Sequence, residues 1–147
     1  SDLMGKMDLW YGFACHSLDL LCNKGHVCFI AQNNWTTSKG AKLLRKKVIN
    51  DSKIIQLLDF NTYMVFENAS IQTMIMLFEK NNTENNYVFD YRTLQENSVK
   101  QDMLELLKKH KTDKTNYLNP KIKVKYLTDV KPNENEWKKT IKEKTQN

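Results

Sequence analysis

Two short apolar runs in the middle of the chain, residues 54–58 and 71–78, constrain the fold more than any other feature. Runs of this length that are rich in large aliphatic side chains and bounded by polar clusters are typical of β-strands buried on both faces. A strand of this kind needs other layers of structure above and below it. The two runs therefore predict the centre of a sheet, and the loop between them carries the aromatic residue Phe66.

The segments on either side of the two runs predict an alternation of helices and strands. A helix is expected over residues 8–23, with Asp8 as its N-cap and Gly25 as its stop signal. A short β-rich run, a polar loop and a second helix follow, and that helix should present an apolar face of Ala41, Leu44 and Val48. This order is typical of an α/β fold. Further downstream the pattern predicts a strand over residues 87–91 and a helix over residues 99–109.

The polar loop over residues 32–38 lies between a predicted strand and a predicted helix. In open α/β sheets such a loop lies at the carboxyl end of the strand, where ligands bind. Trp35 in this loop is therefore either a wall of a site or a plug of the core. Thr37 or Ser38 is the expected N-cap of the helix that follows. Along that helix Lys42, Arg45 and Lys46 have helical neighbour spacing, which predicts an exposed basic stripe that is either solvated or in contact with phosphate.

The net charge of +6 over 147 residues lies entirely in the last third of the chain. Residues 1–98 carry 10 basic and 10 acidic side chains, whereas residues 99–147 carry 13 and 7. We therefore divide the chain into residues 1–98, an α/β domain or part of one, and residues 99–147, a basic extension. Such an extension suits binding to a polyanion, because lysines that neutralise phosphates release counterions. A solvated lysine-rich surface remains the alternative.

Within the extension, Lys121, Lys123 and Lys125 alternate with apolar residues. The period of two predicts a strand with one cationic face, which can contact phosphates or simply discourage edge pairing. Cys15, Cys22 and Cys28 have no metal-ligand spacing and are expected to be buried, reduced thiols of a cytoplasmic protein. We expect no bound metal. No apolar run approaches the roughly 20 residues that a membrane span needs.

Three blocks of the sequence, read together, resemble the adenine-specific DNA methyltransferases of the gamma-class, TaqI-like kind. The first block is GKMDLWYGFACHSLDLLCNKGHVCFIAQNNW, residues 5–35, which is similar to the family's fifth and sixth conserved blocks. The second is TTSKGAKLLRKKVIND, residues 36–51, which is similar to the helix that follows them. The third is DFNTYMVFENASIQTMIMLFEK, residues 59–80, which is similar to the eighth block. The order and spacing of the blocks carry the resemblance.

The resemblance implies a role for individual residues. In the family, the aromatic residue of the eighth block packs against the adenine that is flipped out of the duplex, which places Phe66 beside the target base. The fifth-block helix lies close to the cofactor and target pockets. On this basis we assign a pocket-supporting role to four residues: Asp8, Trp10, Phe13 and Trp35. Trp10 stands where the family usually has Tyr, and Gln32 stands where it usually has Pro.

Two blocks of the family do not occur in this sequence: the glycine-containing loop that binds S-adenosylmethionine and the Asn-Pro-Pro-Tyr block that holds the reacting amino group. Both precede the matching blocks in the family. The resemblance therefore implies the C-terminal half of a methyltransferase domain, with a partial Rossmann-like sheet that ends in an antiparallel hairpin, followed by the start of a target-recognition region. No catalytic residue is expected in the chain.

The implied partners are double-stranded DNA, the remainder of the methyltransferase chain and a nuclease domain or subunit of a restriction-modification system. The chain by itself is expected to show no turnover and to bind S-adenosylmethionine poorly. Two alternatives are a non-enzymatic nucleic-acid-binding α/β module and an α/β scaffold whose aromatic residues all belong to the core.

Overall fold

Four strands of a mixed sheet form the centre of the protein. The computed structural model describes residues 8–81, 88–108, 115–117 and 122–123. Its helices are α1 (Leu9–Leu20), α2 (Lys42–Asp51) and α3 (Lys100–Leu107), and short 3₁₀ turns lie at Asn33–Thr36 and Lys39–Ala41. The strands are β1 (His26–Gln32), β2 (Ser52–Asp59), β3 (Thr73–Lys80), β4 (Val88–Leu94), β5 (Thr115–Tyr117) and β6 (Ile122–Lys123).

The strand order is β1-β3-β2-β4-β5, and β6 also pairs with β4. β3 lies antiparallel between β1 and β2, while β2 and β4 are parallel. β1, β2 and β4 therefore run in the same direction and end at the same edge of the sheet. The predicted α/β class is confirmed, and β2 and β3 form the expected antiparallel hairpin. This open mixed sheet is compatible with part of a Rossmann-like fold.

Each face of the sheet carries its own hydrophobic cluster. Helices α1 and α2 cover one face, where Ile54, Leu57 and Met76 are fully buried. Helix α3 packs on the other face, in a cluster of Leu58, Phe60, Leu94 and Leu106. Adjacent strand residues alternate between faces, so Leu57 and Leu58 belong to different clusters. The two central strands are thus covered on both sides, as their composition predicted.

A β-bulge in β2 explains how Ile54 and Leu57 reach the same face. The pairing register between β2 and β3 shifts between Ile54 and Gln56. Strict alternation would place residues 54 and 57 on opposite faces. The extra residue, Ile55, shifts the alternation by one position. Ile54 and Leu57 therefore both lie on the face that α1 and α2 cover.

Helix α2 packs as its periodicity predicted, whereas α1 carries two apolar faces of which only one is buried. Ala41, Leu44 and Val48 are buried in the core. The buried face of α1 consists of Tyr11, Ala14 and Leu18, whereas Leu9, Phe13 and Leu20 are exposed. Two apolar faces compete on this helix, and the one with the small Ala14 packs closely against the sheet and α2.

The turn between α1 and β1 requires Gly25 for a reason other than its backbone angle. The positive φ in this turn belongs to Lys24, at 63°. A Cβ atom on Gly25 would lie 3.0 Å from the carbonyl oxygen of Cys22. Real Cβ atoms rarely come so close to an oxygen, so glycine permits the tight return of the chain into β1.

Both predicted N-caps lack their side-chain hydrogen bonds. Asp8 is the N-cap of α1, but its carboxylate caps no amide. Helix α2 begins at Lys42 rather than Lys39, with Ala41 as its N-cap, because a 3₁₀ turn occupies residues 39–41. Ser38 precedes that turn and likewise makes no side-chain cap.

The cysteines are more exposed than expected. Cys15 is half-buried, and Cys22 and Cys28 are exposed, all three as free thiols. Cys22 lies in the turn after α1, and Cys28 lies on the face of β1 away from α1 and α2. Within the described ranges, no group of three or more potential ligands could hold a metal ion, and no helix is long and apolar enough to cross a membrane.

The basic extension falls mostly outside the described residues. Helix α3 lies at its start, and Leu106 is completely buried against the sheet. The backbone of β6 pairs antiparallel with Val88 and Phe89. Lys121 and Lys125 lie outside the described residues, as does the side chain of Lys123. The division at residue 98 and the cationic face of the last strand stay predictions.

Candidate functional site

The three parallel strands end at one edge of the sheet, and this edge carries the candidate site. β1 ends at Gln32, β2 at Asp59 and β4 at Leu94, and antiparallel β3 begins at Thr73 at the same edge. Ligands of open α/β sheets bind outside the carboxyl ends of the strands. The loops after β1 and β2 are therefore the segments that can contact a ligand.

A carboxylate at the end of β2 ties the loops of this edge together. Asp59 Oδ1 accepts hydrogen bonds from Asn33 Nδ2 at 3.0 Å and from the backbone N–H of Asn61 at 2.9 Å. Its Oδ2 accepts a longer bond, 3.4 Å, from the Tyr91 hydroxyl. Asn61 in turn donates from Nδ2 to the carbonyl oxygen of Leu94 at 3.0 Å. The loop after β1, the loop after β2 and the end of β4 are thus held in one arrangement.

Burial governs the titration of this cluster. Desolvation raises the pKa of Asp59, and the hydrogen bonds from Asn33, Asn61 and Tyr91 lower it by less. Burial also raises the pKa of Tyr91 well above its usual value, and the neighbouring Asp59 charge adds to the shift. Both oxygens of Asp59 are engaged within the protein. The carboxylate therefore holds the loops of this edge in position.

The loop after β2 presents Phe66 on an anchored backbone. At its start, Phe60 is buried, and its N–H donates to the Thr73 carbonyl oxygen at 3.1 Å. A turn closes where the Ala69 N–H donates to the Phe66 carbonyl oxygen at 3.2 Å. The side chains of Phe66 and Met64 are each 43% exposed. An aromatic ring is thus available at the carboxyl edge, as a base-stacking residue requires.

An open cleft lies between the Phe66 loop and the end of β1. Its volume is about 270 Å³, and its lining consists of Gln32, Asn33, Asn34, Met64, Ser70, Ile71 and Gln72. The backbone N–H of Asn33 donates to the carbonyl oxygen of Gln72 at 2.9 Å, which fixes the two rims relative to each other. Four of the lining residues are Asn or Gln, and no charged residue lines the cleft among the residues described.

Trp35 is a plug of the core. The side chain is completely buried. Its Nε1 donates to the Met74 sulfur at 3.0 Å, and its ring meets Phe78 edge-on with centroids 6.0 Å apart. Trp35 can support the site by fixing the loop after β1, but it does not line the cleft.

Arg45 is buried and does not belong to an exposed basic stripe. Its Nη1 donates to the carbonyl oxygens of Trp35 at 2.7 Å and Ser38 at 2.6 Å. The guanidinium thus binds the turn that precedes α2, while Lys42 and Lys46 on the same helix are exposed. The carbonyl oxygens of this loop accept hydrogen bonds from the buried guanidinium. The sequence pattern of α2 does not indicate these acceptors, because they are backbone atoms.

The first turn of α1 lies beside the same loop. Burial raises the pKa of the Tyr11 hydroxyl, and the neighbouring Ser38 side chain lowers it by less. Trp10 packs edge-on against Tyr11, with ring centroids 4.7 Å apart. Its indole Nε1 is buried and has no acceptor among the described residues. Asp8 and Trp10 therefore lie near the carboxyl edge, whereas Phe13 is 62% exposed on the outer face of α1.

The described residues do not form a complete pocket for S-adenosylmethionine. Pockets for ligands of that size usually enclose roughly 300–1,000 Å³ and bury most of the ligand. The open cleft at the carboxyl edge is smaller, at about 270 Å³. Among the described residues, the lining of this cleft therefore does not enclose a ligand of that size.

A comparison with known protein families adds independent information. Residues 1–66 match the model of the family described as Eco57I restriction-modification methylase. The matched part contains α1, β1, α2, β2 and the following loop as far as Phe66. Over these residues the chain is similar to a DNA methylase of a restriction-modification system.

Proposed function

We propose that the chain is part of a DNA methyltransferase that modifies adenine in a restriction-modification system. The match over residues 1–66 supports the methylase and the restriction-modification setting. The resemblance of residues 59–80 to the eighth block of the gamma-class, TaqI-like enzymes supports adenine as the target. In this proposal the chain is the C-terminal half of the catalytic domain, and the enzyme is cytoplasmic.

The single observation that carries the proposal is the exposure of Phe66 on an anchored loop at the carboxyl edge. An enzyme that modifies a base must take it out of the stack, and contact with an aromatic ring offsets the lost stacking. A half-exposed phenylalanine on a loop fixed at Phe60 and Ala69 can provide this contact without rearrangement. Phe66 is therefore assigned to the target adenine.

The reaction needs groups that other parts of the enzyme supply. S-adenosylmethionine supplies the methyl group when it is bound. The described residues position the base and the loops around it: Phe66 stacks, Trp35 and Arg45 fix the loop after β1, and Asp59 joins the loops. Asp8 and Trp10 support the pockets from the start of α1, whereas Phe13 lies on the outer face of that helix. The chain by itself shows no turnover.

The outer surface of α1 suits contact with the remainder of the methyltransferase chain. Leu9, Phe13 and Leu20 are exposed on one helix. In the described sheet, β1 pairs with β3 alone, so its other edge has no strand beside it. Exposed apolar side chains and an open strand edge are usually covered in a complete protein.

Duplex DNA is the proposed substrate, and the lysine-rich extension contributes phosphate contacts through Lys121, Lys123 and Lys125. A nuclease domain or subunit completes the restriction-modification system. If the chain alone binds duplex DNA tightly, with a steep loss of affinity as salt is added, a non-enzymatic nucleic-acid-binding module becomes the better description.

Mass spectrometry of DNA from a methylation-deficient host that expresses the natural full-length enzyme tests the proposal. N6-methyladenine is expected in the digested DNA. The presence of methylcytosine alone would contradict the adenine assignment. The absence of any new methylated base would contradict the methyltransferase itself.

A further inference from the structure

The open cleft beside the Phe66 loop has an unusual concentration of carboxamides. Gln32, Asn33, Asn34 and Gln72 all line it, together with Ser70 and the apolar side chains of Met64 and Ile71. Asn33 is committed to Asp59 through its Nδ2. In the described part of the chain, the side chains of Gln32, Asn34 and Gln72 make no hydrogen bond. Three residues of the lining therefore carry amides whose donors and acceptors are not used within the described part of the chain.

The backbone holds these amides in place before any ligand arrives. Gln32 ends β1, Asn34 lies in the 3₁₀ turn that follows, and Gln72 directly precedes β3. The bond from the Asn33 N–H to the Gln72 carbonyl oxygen joins the two segments at 2.9 Å. The buried Trp35 and Arg45 fix the turn from below. A rigid support of this kind reduces the entropy cost of forming specific hydrogen bonds.

The chemistry of the lining favours a base edge over a phosphate. Contacts to phosphates are dominated by Lys and Arg, and no charged side chain lines the cleft among the residues described. The amide of Asn or Gln carries a donor and an acceptor side by side, which matches the N6 and N7 edge of adenine. The apolar walls formed by Met64 and Ile71 can pack against the plane of a base.

The shape of the cleft distinguishes its ligand from the flipped adenine. A flipped base enters a closely fitting, enclosed pocket. This cleft is open, and Asn34, Ser70 and Gln72 are exposed at its rim. An open groove suits the edge of a base that stays in the duplex.

We propose that this carboxamide cleft reads an adenine–thymine pair next to the target adenine. The inference rests on the proposed function, because it requires DNA bound at the carboxyl edge with the target base at Phe66. Gln72 and Asn34 are the specificity-determining residues, and Gln32 supports them from the end of β1. Part of the recognition sequence is then read within residues 1–98 and not in the lysine-rich extension.

The test compares the methylated sequence of the full-length enzyme with that of two variants, Gln72→Ala and Asn34→Ala, in a host without adenine methylation. Sequencing that detects N6-methyladenine gives the recognised sequence in each case. Gln72→Ala should accept other bases at one adenine–thymine position near the target, with discrimination there reduced on the order of tenfold. The matched control is Gln101→Ala, which replaces an exposed glutamine on α3. This variant should methylate the same DNA sequence as the wild-type enzyme.

Three outcomes would overturn the inference. If both variants methylate the same DNA sequence as the wild-type enzyme, the cleft reads no base. An equal loss of rate at all sites identifies a sequence-independent contact to the DNA backbone instead. A wild-type enzyme that leaves no N6-methyladenine contradicts the proposed function itself, whereas the first two outcomes leave that function intact. The second variant keeps the test valid if one of the two fails to fold.

Discussion

The Arg45 guanidinium donates a 2.7 Å hydrogen bond to the carbonyl oxygen of Trp35, ten residues earlier in the chain. The same Nη1 donates to the Ser38 carbonyl oxygen. A buried charge on α2 therefore fixes the loop that follows β1. Because this loop carries one rim of the carboxamide cleft, the core beneath it determines the shape of the site.

Replacement of Arg45 should destabilise the protein strongly. In Arg45→Met the carbonyl oxygens of Trp35 and Ser38 lose their donor while buried, which should cost roughly 2–4 kcal/mol. Urea unfolding measures the change. Lys46→Met, at the exposed next position, should change the free energy of unfolding by less than about 0.5 kcal/mol. Equal losses in both variants would contradict the role assigned to Arg45.

Asp59 should give the stability a characteristic pH dependence. Burial raises its pKa in the folded state above that of the unfolded chain. The folded state then binds more protons in the window between the two pKa values, so stability falls as the pH rises through that window. The window begins near pH 4, the usual pKa of an unfolded aspartate.

Comparison with Asp59→Asn isolates this contribution. The free energy of unfolding of the wild type, relative to that of the variant, should decrease as the pH is raised from about 3 through the window and become constant above it. Urea unfolding at a series of pH values measures the difference. A relative stability of the wild type that increases with pH would show that the hydrogen bonds outweigh burial.

Two adjacent leucines test whether α3 belongs to the packed structure. Leu106 is completely buried beside Leu58 and Leu94, whereas Leu107 is 40% exposed. Leu106→Ala should cost about 2–5 kcal/mol because it leaves a cavity. Leu107→Ala should cost much less, and thermal unfolding of both variants measures the contrast. Similar losses would mean that α3 does not pack on the sheet as described.

Local patterns predicted the elements but not all of their faces. The apolar spacing of Ala41, Leu44 and Val48 was sufficient to identify the buried face of α2. In α1 the pattern was ambiguous, because Phe13 and Tyr11 lie on different faces and both are large. Only the packing of the small Ala14 against its neighbours selects between them.

The site depends on contacts that are distant in the sequence. Asn33 and Asp59 are 26 residues apart, and the position of β3 between β1 and β2 brings their loops together. Arg45 resembled a surface charge because its acceptors are backbone carbonyls, which have no sequence signature. The role proposed for Phe66 follows from the resemblance of residues 59–80, one continuous segment that includes the whole loop between β2 and β3.

Phe66 should matter less when the target base is already unpaired. A mismatched adenine costs less to take out of the stack than a paired one. Methylation of a duplex with a mismatch at the target should therefore be reduced less by Phe66→Ala than methylation of the paired duplex. This comparison separates stacking on the flipped base from a general loss of DNA binding.

The most direct test of the account is the methylation rate of the full-length enzyme with Phe66→Ala, measured beside the control Leu43→Ala on the exposed face of α2. Base stacking on an aromatic side chain contributes about 1–3 kcal/mol, so the rate should fall on the order of tenfold or more while the unfolding temperature stays unchanged. Leu43→Ala should leave both the methylation rate and the unfolding temperature unchanged. Full activity in Phe66→Ala, or collapse of its fold, would contradict the placement of the target adenine at Phe66.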